Sequence, residues 1–146
     1  KALARGQRAT LFMVVMAGFH LLLSRWAGRE DVIVGTPMAG RRRSEMEGII
    51  GFFVNSVAIR ATAQPAMTVG EFIAQLRTTA VGAFAHQDLP FEKVVKAVGA
   101  RRDARYGPIF QVMLAFQNTP QQRFDLDDLS IRVMDTPPGP AKFELS

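Results

Sequence analysis

The sequence predicts a mixed α/β fold built in layers around one hydrophobic core. The chain has 146 residues, of which 48% are hydrophobic and 21% are charged. A chain of this length buries about 68–70% of its unfolded surface when it folds. Hydrophobic residues recur at helical spacing in some stretches and alternate in others. The predicted order of elements is helix, strand, strand, helix, helix, strand and strand, with no internal repeat.

The first predicted helix runs from Leu11 to about Arg25. Thr10 is a favourable N-cap residue, and Gly28 suits the left-handed turn that ends many helices. Apolar residues lie on every side of this helix, so we expect other elements to cover it all around. His20 lies inside the helix, where a satisfied core histidine is a better interpretation than a catalytic base.

A strand, a basic loop and a second strand follow this helix. The first strand is predicted at Asp31–Thr36, the glycine- and proline-containing loop at Pro37–Glu47, and the second strand roughly at Phe52–Ala61. A polar step, Asn55 followed by Ser56, interrupts the apolar run of the second strand. The loop and this step are not explained by ordinary core packing.

Two more helices are predicted after these strands. Thr68 and Glu71 have the spacing of a capping box, in which each side chain bonds the backbone N–H of the other residue. Apolar residues then recur at helical spacing as far as Ala85. Pro90 disfavours helical geometry in the residue before it and suits the start of the next helix, which is predicted at Phe91–Val98.

Alternating residues in the last third of the chain predict two more strands. Ile109–Gln117 places its largest apolar residues on one face and ends at Asn118. Leu129–Val133 predicts another short strand. We expect residues 119–146 to form a crossover or connector region. The first residue is not methionine and the last residues alternate like a strand, which indicates a fragment that is incomplete at both ends.

Composition disfavours several classes of function. The net charge is +5, but the arginine clusters at 41–43 and 101–102 are small and lack interleaved aromatic residues, so we expect no nucleic-acid partner. The apolar run at 11–23 is shorter than the roughly 20 residues that a bilayer requires, so we expect no membrane partner. The absence of cysteine excludes disulfides, thiolate metal sites and a cysteine nucleophile. No metal site is predicted.

Three motifs resemble a known family. They read GTPMAGRRRSEMEGIIGFFVNSVAIR, HQDLPFEKVVKAVGARRDARYGPIFQVMLAFQN and AKFELS. In this order they resemble the later motifs of the condensation domains of nonribosomal peptide synthetases. The family's catalytic motif, HHxxxDG, is absent, because neither of the two histidines, His20 and His86, has a histidine neighbour. The resemblance implies the C-terminal lobe of a chloramphenicol acetyltransferase-like fold, in which two lobes form a V around a tunnel.

The resemblance also implies an activity and its partners. A complete condensation domain forms an amide bond when the amine of an acceptor aminoacyl thioester attacks a donor acyl or peptidyl thioester. Both substrates are carried on the phosphopantetheine of carrier proteins, and no cofactor binds the domain directly. The implied partners are the N-terminal lobe, the upstream and downstream carrier domains and a neighbouring adenylation domain, all in the cytoplasm. We expect this chain alone to be inactive, because the reactive histidine belongs to the other lobe.

Four residues are candidates for the site that the resemblance implies. Arg41 matches the arginine of the family's G-x-P-x-x-G-R pattern and would pair with the aspartate of HHxxxDG across the lobe interface, or else it is a solvated loop arginine. Asn118 would donate its amide N–H to the tetrahedral intermediate, or it is an ordinary turn residue. Asn55 and Ser56 are tunnel-lining candidates, with a bond from Asn55 to a backbone group as the alternative. His86 is expected to cap and dock the helix that follows it.

Two other interpretations remain open. One is an epimerisation domain, which shares the scaffold but moves a proton at the α-carbon. The other is a non-catalytic relative that recruits a partner enzyme. The wording of GTPMAGR and GFFVNS is closer to condensation than to epimerisation sequences. An intact or degraded HHxxxDG motif before this stretch would separate the three interpretations.

Overall fold

The computed structural model describes residues 1–41, 43–46, 48–100 and 106–117. Their elements, in chain order, are α1 (Ala2–Gly6), α2 (Leu11–Ala27), β1 (Asp31–Met38), a 3-10 turn (Ser44–Met46), β2 (Asn55–Thr62), α3 (Val69–Ala85) and α4 (Phe91–Ala97). The predicted mixed α/β fold is confirmed by these elements. The strand predicted at Leu129–Val133 and the connector at 119–146 lie outside the described residues.

The helix ends follow the capping chemistry that the sequence predicts. The Thr10 hydroxyl accepts a hydrogen bond from the backbone N–H of Met13 (3.2 Å). Gly28 ends α2 in the left-handed conformation, with φ 62°. At α3, the Thr68 N–H donates to the Glu71 carboxylate (2.8 Å) and the Glu71 N–H donates to the Thr68 hydroxyl (3.3 Å). The predicted capping box is therefore confirmed.

The short helix α1 was not predicted from the sequence. Its end is held by α3, because the Arg77 guanidinium donates hydrogen bonds to the backbone carbonyls of Gln7 (3.4 Å) and Arg8 (3.3 Å). The last carbonyls of a helix lack partners within the helix, and a cationic donor satisfies them well. A contact between residues 69 positions apart or more has no signal in local periodicity.

The two strands form an antiparallel sheet in which Val34 lies opposite Ile59. The prediction that the second strand begins at Phe52 is wrong, because β2 begins at Asn55. The backbone carbonyl of Gly51 bonds the Arg41 side chain instead of joining the ladder. Residues 52–54 therefore belong to the loop, even though their apolar side chains are typical of a strand.

The segment at 109–117 meets β1 around Gly35. Gly35 donates its N–H to the carbonyl of Val112 (2.9 Å) and accepts from the N–H of Leu114 (2.9 Å), which makes a single parallel bridge with Met113. The prediction of a strand over these residues is therefore wrong within the described part of the chain. Ile109 takes a left-handed φ of 72°, which departs from extended geometry where the strand was predicted to begin.

Gly35 allows the segment to lie this close to β1 because it has no side chain. A Cβ atom at position 35 would lie 2.2 Å from the ring of Phe110, far inside van der Waals contact. The Phe110 side chain is only 3% exposed and fills the space over the glycine. Any larger residue at position 35 would displace the ring of Phe110 and the segment that bridges β1.

The hydrophobic core lies between the sheet and the two long helices, α2 and α3. Its fully buried side chains include Met16, Val34, Ile59, Phe72 and Leu76. The prediction that α2 is covered on all sides is wrong for the described residues. Its opposite face carries exposed side chains, with Leu22 at 54% and Trp26 at 74% exposure, because the sheet and α3 contact only the face that includes Met16.

His20 is a core residue of this layer. It is 1% exposed, and its ring nitrogens lie 2.9 Å from the Met16 carbonyl oxygen and 3.1 Å from the Ile59 carbonyl oxygen. The interpretation as a satisfied core histidine is confirmed by these contacts. Burial lowers the pKa of His20, and the hydrogen bonds to the two carbonyls oppose that shift without overcoming it.

The native protein that contains this chain should lose stability as the pH falls from about 7 to 5. Because the folded protein holds His20 at a lowered pKa, the unfolded chain binds a proton first, and its histidine titrates near pH 6.5. The contribution is complete above that pH and is lost as the pH falls through the folded pKa. Urea denaturation at a series of pH values measures the free energy of unfolding.

The control for this measurement is the exposed residue His86. We expect His20→Gln to flatten the pH dependence between pH 5 and 7, and His86→Gln to retain it. If both variants followed the same pH profile as the unaltered protein, His20 would not be the group that titrates.

Candidate functional site

The candidate site residues lie at one end of the sheet. Met38, the last residue of β1, pairs with Asn55, the first residue of β2, and Ser56 is the next residue. The segment at 112–114 bridges β1 in parallel, so it advances toward the same end of the sheet. Asn118, four residues beyond that segment, lies outside the described residues, so its position and role stay predictions.

Arg41 fixes the shape of the loop between the two strands. Its guanidinium donates hydrogen bonds to the backbone carbonyls of Met46, of Ile49 at 2.7 Å and of Gly51 at 3.2 Å. It also lies 4.5 Å from the centre of the Phe53 ring. A planar guanidinium bonds several acceptors and stacks on a ring at once. The expected aspartate partner belongs to a motif that this sequence lacks, so that pairing stays a prediction.

Gly40 makes the closed shape of this loop possible. Its φ of 66° is left-handed, and a Cβ atom there would lie 2.0 Å from the carbonyl oxygen of Phe53. Both the backbone conformation and the close approach therefore require glycine. The two ends of the loop meet at this point, next to Arg41.

The outer face of the same loop is apolar and exposed. Ile50 is 101% exposed and Phe52 is 89% exposed, while Ile49 and Val54 are also exposed. The Arg41 side chain bonds the backbone beneath them, at Ile49 and Gly51. Exposed apolar side chains that cluster on a fixed backbone mark an interaction surface.

Asn55 ties the start of β2 to the turn between α3 and α4. Its amide nitrogen donates to the carbonyls of Gln87 (2.7 Å) and Leu89 (2.8 Å), and its amide oxygen accepts from the N–H of Phe91 (3.2 Å). The last bond satisfies an N–H at the start of α4, whose N-cap residue Pro90 makes no side-chain cap. The amide thus supplies the cap from another element.

These contacts agree with the alternative in which Asn55 satisfies backbone groups, although the groups lie in the α3–α4 turn and not at a bulge. A tunnel-lining role for Asn55 and Ser56 stays a prediction.

His86 ends α3, and its carbonyl accepts the N–H of Leu89 (3.1 Å). The described contacts of His86 in this turn are therefore made by its backbone, while its side chain is exposed.

An open cleft of about 400 Å³ lies at the same end of the sheet. We call it the aromatic cleft. Phe12 lines this cleft, and its ring centroid lies 5.7 Å from that of Phe84 and 6.1 Å from that of Phe116. Its remaining lining residues are Thr10, Leu11, Thr36, Pro37, Met38 and Ala39. The spacing of apolar residues in the sequence predicts buried faces for these phenylalanines and does not predict the cleft, because periodicity does not show where a helix end leaves a gap.

None of these lining residues is ionisable. Within the described residues, no group of three or more histidine, cysteine, aspartate or glutamate side chains is placed to hold a metal ion. The ring nitrogens of His20 already face backbone carbonyls. The described part of the chain thus offers shape, backbone anchoring and apolar surface at this site, and no acid–base pair.

Separately, no helix of the described residues is both long and apolar enough to cross a membrane.

Charged side chains pair at the opposite end of the sheet. Arg60 donates two hydrogen bonds to the carboxylate of Asp31, at 2.9 and 2.6 Å. These bonds lower the pKa of Asp31 and raise the pKa of Arg60. Asp31 and Thr62 pair at the end of the ladder that lies farthest from Met38 and Asn55, so this ion pair is not part of the candidate site.

The chain matches the model of one protein family over its whole length. The model of the condensation domain matches residues 1–146. The chain belongs to the condensation domain family. The resemblance of its three motifs is thereby confirmed.

Curated relatives of this condensation domain chain are large peptide synthetases. It is 42% identical over 144 residues to surfactin synthase subunit 1 of Bacillus subtilis (strain 168), covering 99% of this chain and 4% of that protein. It is 37% identical over 144 residues to tyrocidine synthase 3 of Brevibacillus parabrevis, covering 99% of this chain and 2% of that protein. The chain therefore spans a small part of the relatives that it matches.

Solved structures share the fold. A four-domain nonribosomal peptide synthetase bound to AMP and glycine superposes with a TM-score of 0.79 at 29% identity, over 82% of this chain and 9% of that one. The first condensation domain of the calcium-dependent antibiotic synthetase, with a substrate analogue, gives 0.63 at 24% identity, over 70% and 23%. The X-domain from teicoplanin biosynthesis, in complex with OxyB, gives 0.69 at 25% identity, over 76% and 25%. The expected chloramphenicol acetyltransferase-like fold is therefore confirmed.

Arg41→Ala should lower the free energy of unfolding of the native protein by about 1–3 kcal/mol, because it removes a charged donor from backbone carbonyls. Arg43→Ala is the matched control, since Arg43 lies in the same loop and is exposed. We expect Arg41→Lys to restore little, because an ammonium lacks the planar fork. Urea denaturation measures each variant. Equal losses for the two alanine variants would contradict the assigned role of Arg41.

Asn55→Ala should also destabilise the native protein by about 1–3 kcal/mol, because an N–H of α4 and two turn carbonyls lose their partner. The matched control is Gln64→Ala, which removes an amide from an exposed position. Hydrogen exchange should quicken at the Phe91 amide in the Asn55 variant. An unchanged exchange rate at Phe91 would contradict the capping role.

Proposed function

We propose that this chain is the C-terminal lobe of a nonribosomal peptide synthetase condensation domain and forms one wall of the reaction tunnel. The carrying observation is that Asn55, Ser56 and the segment leading to Asn118 converge on one end of the sheet, next to the loop of Arg41. The described lining residues of the aromatic cleft at this end include no ionisable group. Such a site positions substrates and leaves proton transfer to the histidine of the other lobe.

The reaction joins two carrier-bound thioesters. The amine nitrogen of the acceptor aminoacyl group attacks the donor thioester carbon, a C–N bond forms, and the C–S bond breaks to release the donor carrier's thiol, which takes up the proton that the amine loses. Negative charge develops on the carbonyl oxygen in the tetrahedral intermediate, and a neutral amide N–H is a suitable donor there. We assign that donor role to Asn118.

Arg41 has an architectural part in this proposal. Its guanidinium, anchored on the carbonyls of Ile49 and Gly51, would pair with the aspartate of HHxxxDG in the N-terminal lobe. The exposed Ile50 and Phe52 side chains support a packed interface beside that pair, because a lobe of the same domain would bury them. This chain covers 23% of a solved condensation domain chain. The rest of such a domain is therefore large enough to supply a partner lobe.

The remaining partners follow from the same proposal. Upstream and downstream carrier domains would present the substrates on phosphopantetheine, and an adenylation domain would load the acceptor carrier. No cofactor would bind this lobe directly. The synthetase would work in the cytoplasm.

A second candidate function is the recruitment of a partner enzyme without catalysis. The likeness to the X-domain, whose solved complex with OxyB superposes with a TM-score of 0.69, favours it over the epimerisation alternative. The two candidates differ in the N-terminal lobe, since catalysis requires an intact HHxxxDG and recruitment does not.

The complete condensation domain should form an amide from donor and acceptor thioesters on their carrier proteins, whereas the isolated 146-residue chain should form none. Asn118→Ala in the complete domain should lower kcat by about 10²–10³-fold, as the loss of an oxyanion donor does. Mass spectrometry of the carrier-bound products measures both.

The neighbouring Gln117→Ala serves as the control in this assay, because Gln117 is exposed. Inversion at the α-carbon without amide formation would favour the epimerisation interpretation. Capture of a partner enzyme by a domain that forms no amide would favour recruitment. An active isolated chain would overturn the assignment of the chemistry to the other lobe.

A further inference from the structure

We infer that the aromatic cleft binds the apolar side chain of a thioester-bound amino acid during condensation. The inference rests on the proposed function and names a specificity pocket for it. Phe12, Phe84 and Phe116 form its aromatic part, and Met38 and Ala39 border it at the end of β1.

The dimensions of the cleft suit a small apolar group. Its volume of about 400 Å³ lies within the range of about 300–1,000 Å³ that is usual for ligand pockets. Phe12 and Phe84 are half-buried and Phe116 is 37% exposed. The rings are therefore reachable from the open side, and a side chain that entered would cover them and remove their apolar surface from water.

The two side-chain hydroxyls among the described lining residues already make hydrogen bonds. The Thr36 hydroxyl donates to the carbonyl of Leu114 (3.0 Å), and the Thr10 hydroxyl accepts the N–H of Met13 (3.2 Å). A polar or charged side chain in the cleft would give up hydrogen bonds to water and gain few in return. The cleft therefore selects leucine- or phenylalanine-like side chains against charged ones.

The location of the cleft connects it with the reaction. Met38 is the last residue of β1. Phe116 belongs to the segment that bridges β1 in parallel, so both residues lie toward the same end of the sheet. Asn118, the proposed donor to the tetrahedral intermediate, follows Phe116 by two residues in the sequence. A side chain in the cleft would thus belong to a substrate whose reacting carbon lies nearby.

The donor and the acceptor are two sources of the same chemistry, because each carries an amino acid side chain next to its thioester. Two series of assays distinguish them. In one, the donor is alanyl, leucyl or phenylalanyl on its carrier protein while the acceptor stays fixed. In the other, the acceptor varies and the donor stays fixed.

Ala39→Phe in the complete condensation domain tests the inference by narrowing the cleft. The ratio of kcat/KM for leucyl over alanyl substrate should fall by about tenfold or more in one of the two series, since single methylene groups are worth about 10–200-fold in a fitted pocket. Ala97→Phe is the matched control, because Ala97 is exposed on α4 and does not line the cleft. Its ratio should match that of the unaltered domain.

Phe116→Ala provides a second test that removes volume instead of adding it. We expect the ratio of phenylalanyl over leucyl substrate to rise in the same series, so the test survives if Ala39→Phe lowers the melting temperature. Unchanged ratios in both series for both variants would overturn the inference and assign the cleft to packing against another part of the domain. Failure of the unaltered domain to form any amide would instead overturn the proposed function, and the pocket with it.

Discussion

The antiparallel pairing of β1 with β2 places Val34 opposite Ile59, and both side chains are fully buried beneath the two long helices. Because side chains alternate between the faces of a strand, a slip of one residue would turn this pair away from the core. The same register sets Met38 opposite Asn55. The core thereby determines where the loop of Arg41 begins and where the amide of Asn55 meets the α3–α4 turn.

Three contacts position the candidate site at this end of the sheet. The Arg41 side chain shapes the loop by bonding its carbonyls. Asn55 joins β2 to the start of α4. Gly35 lets the segment that contains Phe110 lie close to β1. Each contact positions backbone, and none supplies a proton donor or acceptor of the kind that catalysis requires. This arrangement agrees with the proposed function, in which this lobe would orient substrates and the other lobe would supply the reactive histidine.

Helices α2, α3 and α4 were predictable because their signals are local. Thr10, Gly28 and the capping box at Thr68 act within a few residues of the helix ends that they define. The start of β2 and the state of residues 109–117 were not predictable in this way. They depend on a side chain that reaches back across a loop and on the absence of a Cβ atom at Gly35. The motifs identified Arg41 and Asn55, but only the fold shows which backbone groups they bond.

The three hydrogen bonds of Asn55 span from the first residue of β2 to the first residue of α4. This has a consequence for chimeric synthetases made by exchanging parts of related enzymes. A crossover between residues 55 and 91 would join an amide from one parent to a turn from another, and the fit of three bonds would then depend on both. Crossovers before β2 or after α4 would carry the anchor and its turn together as one inherited unit.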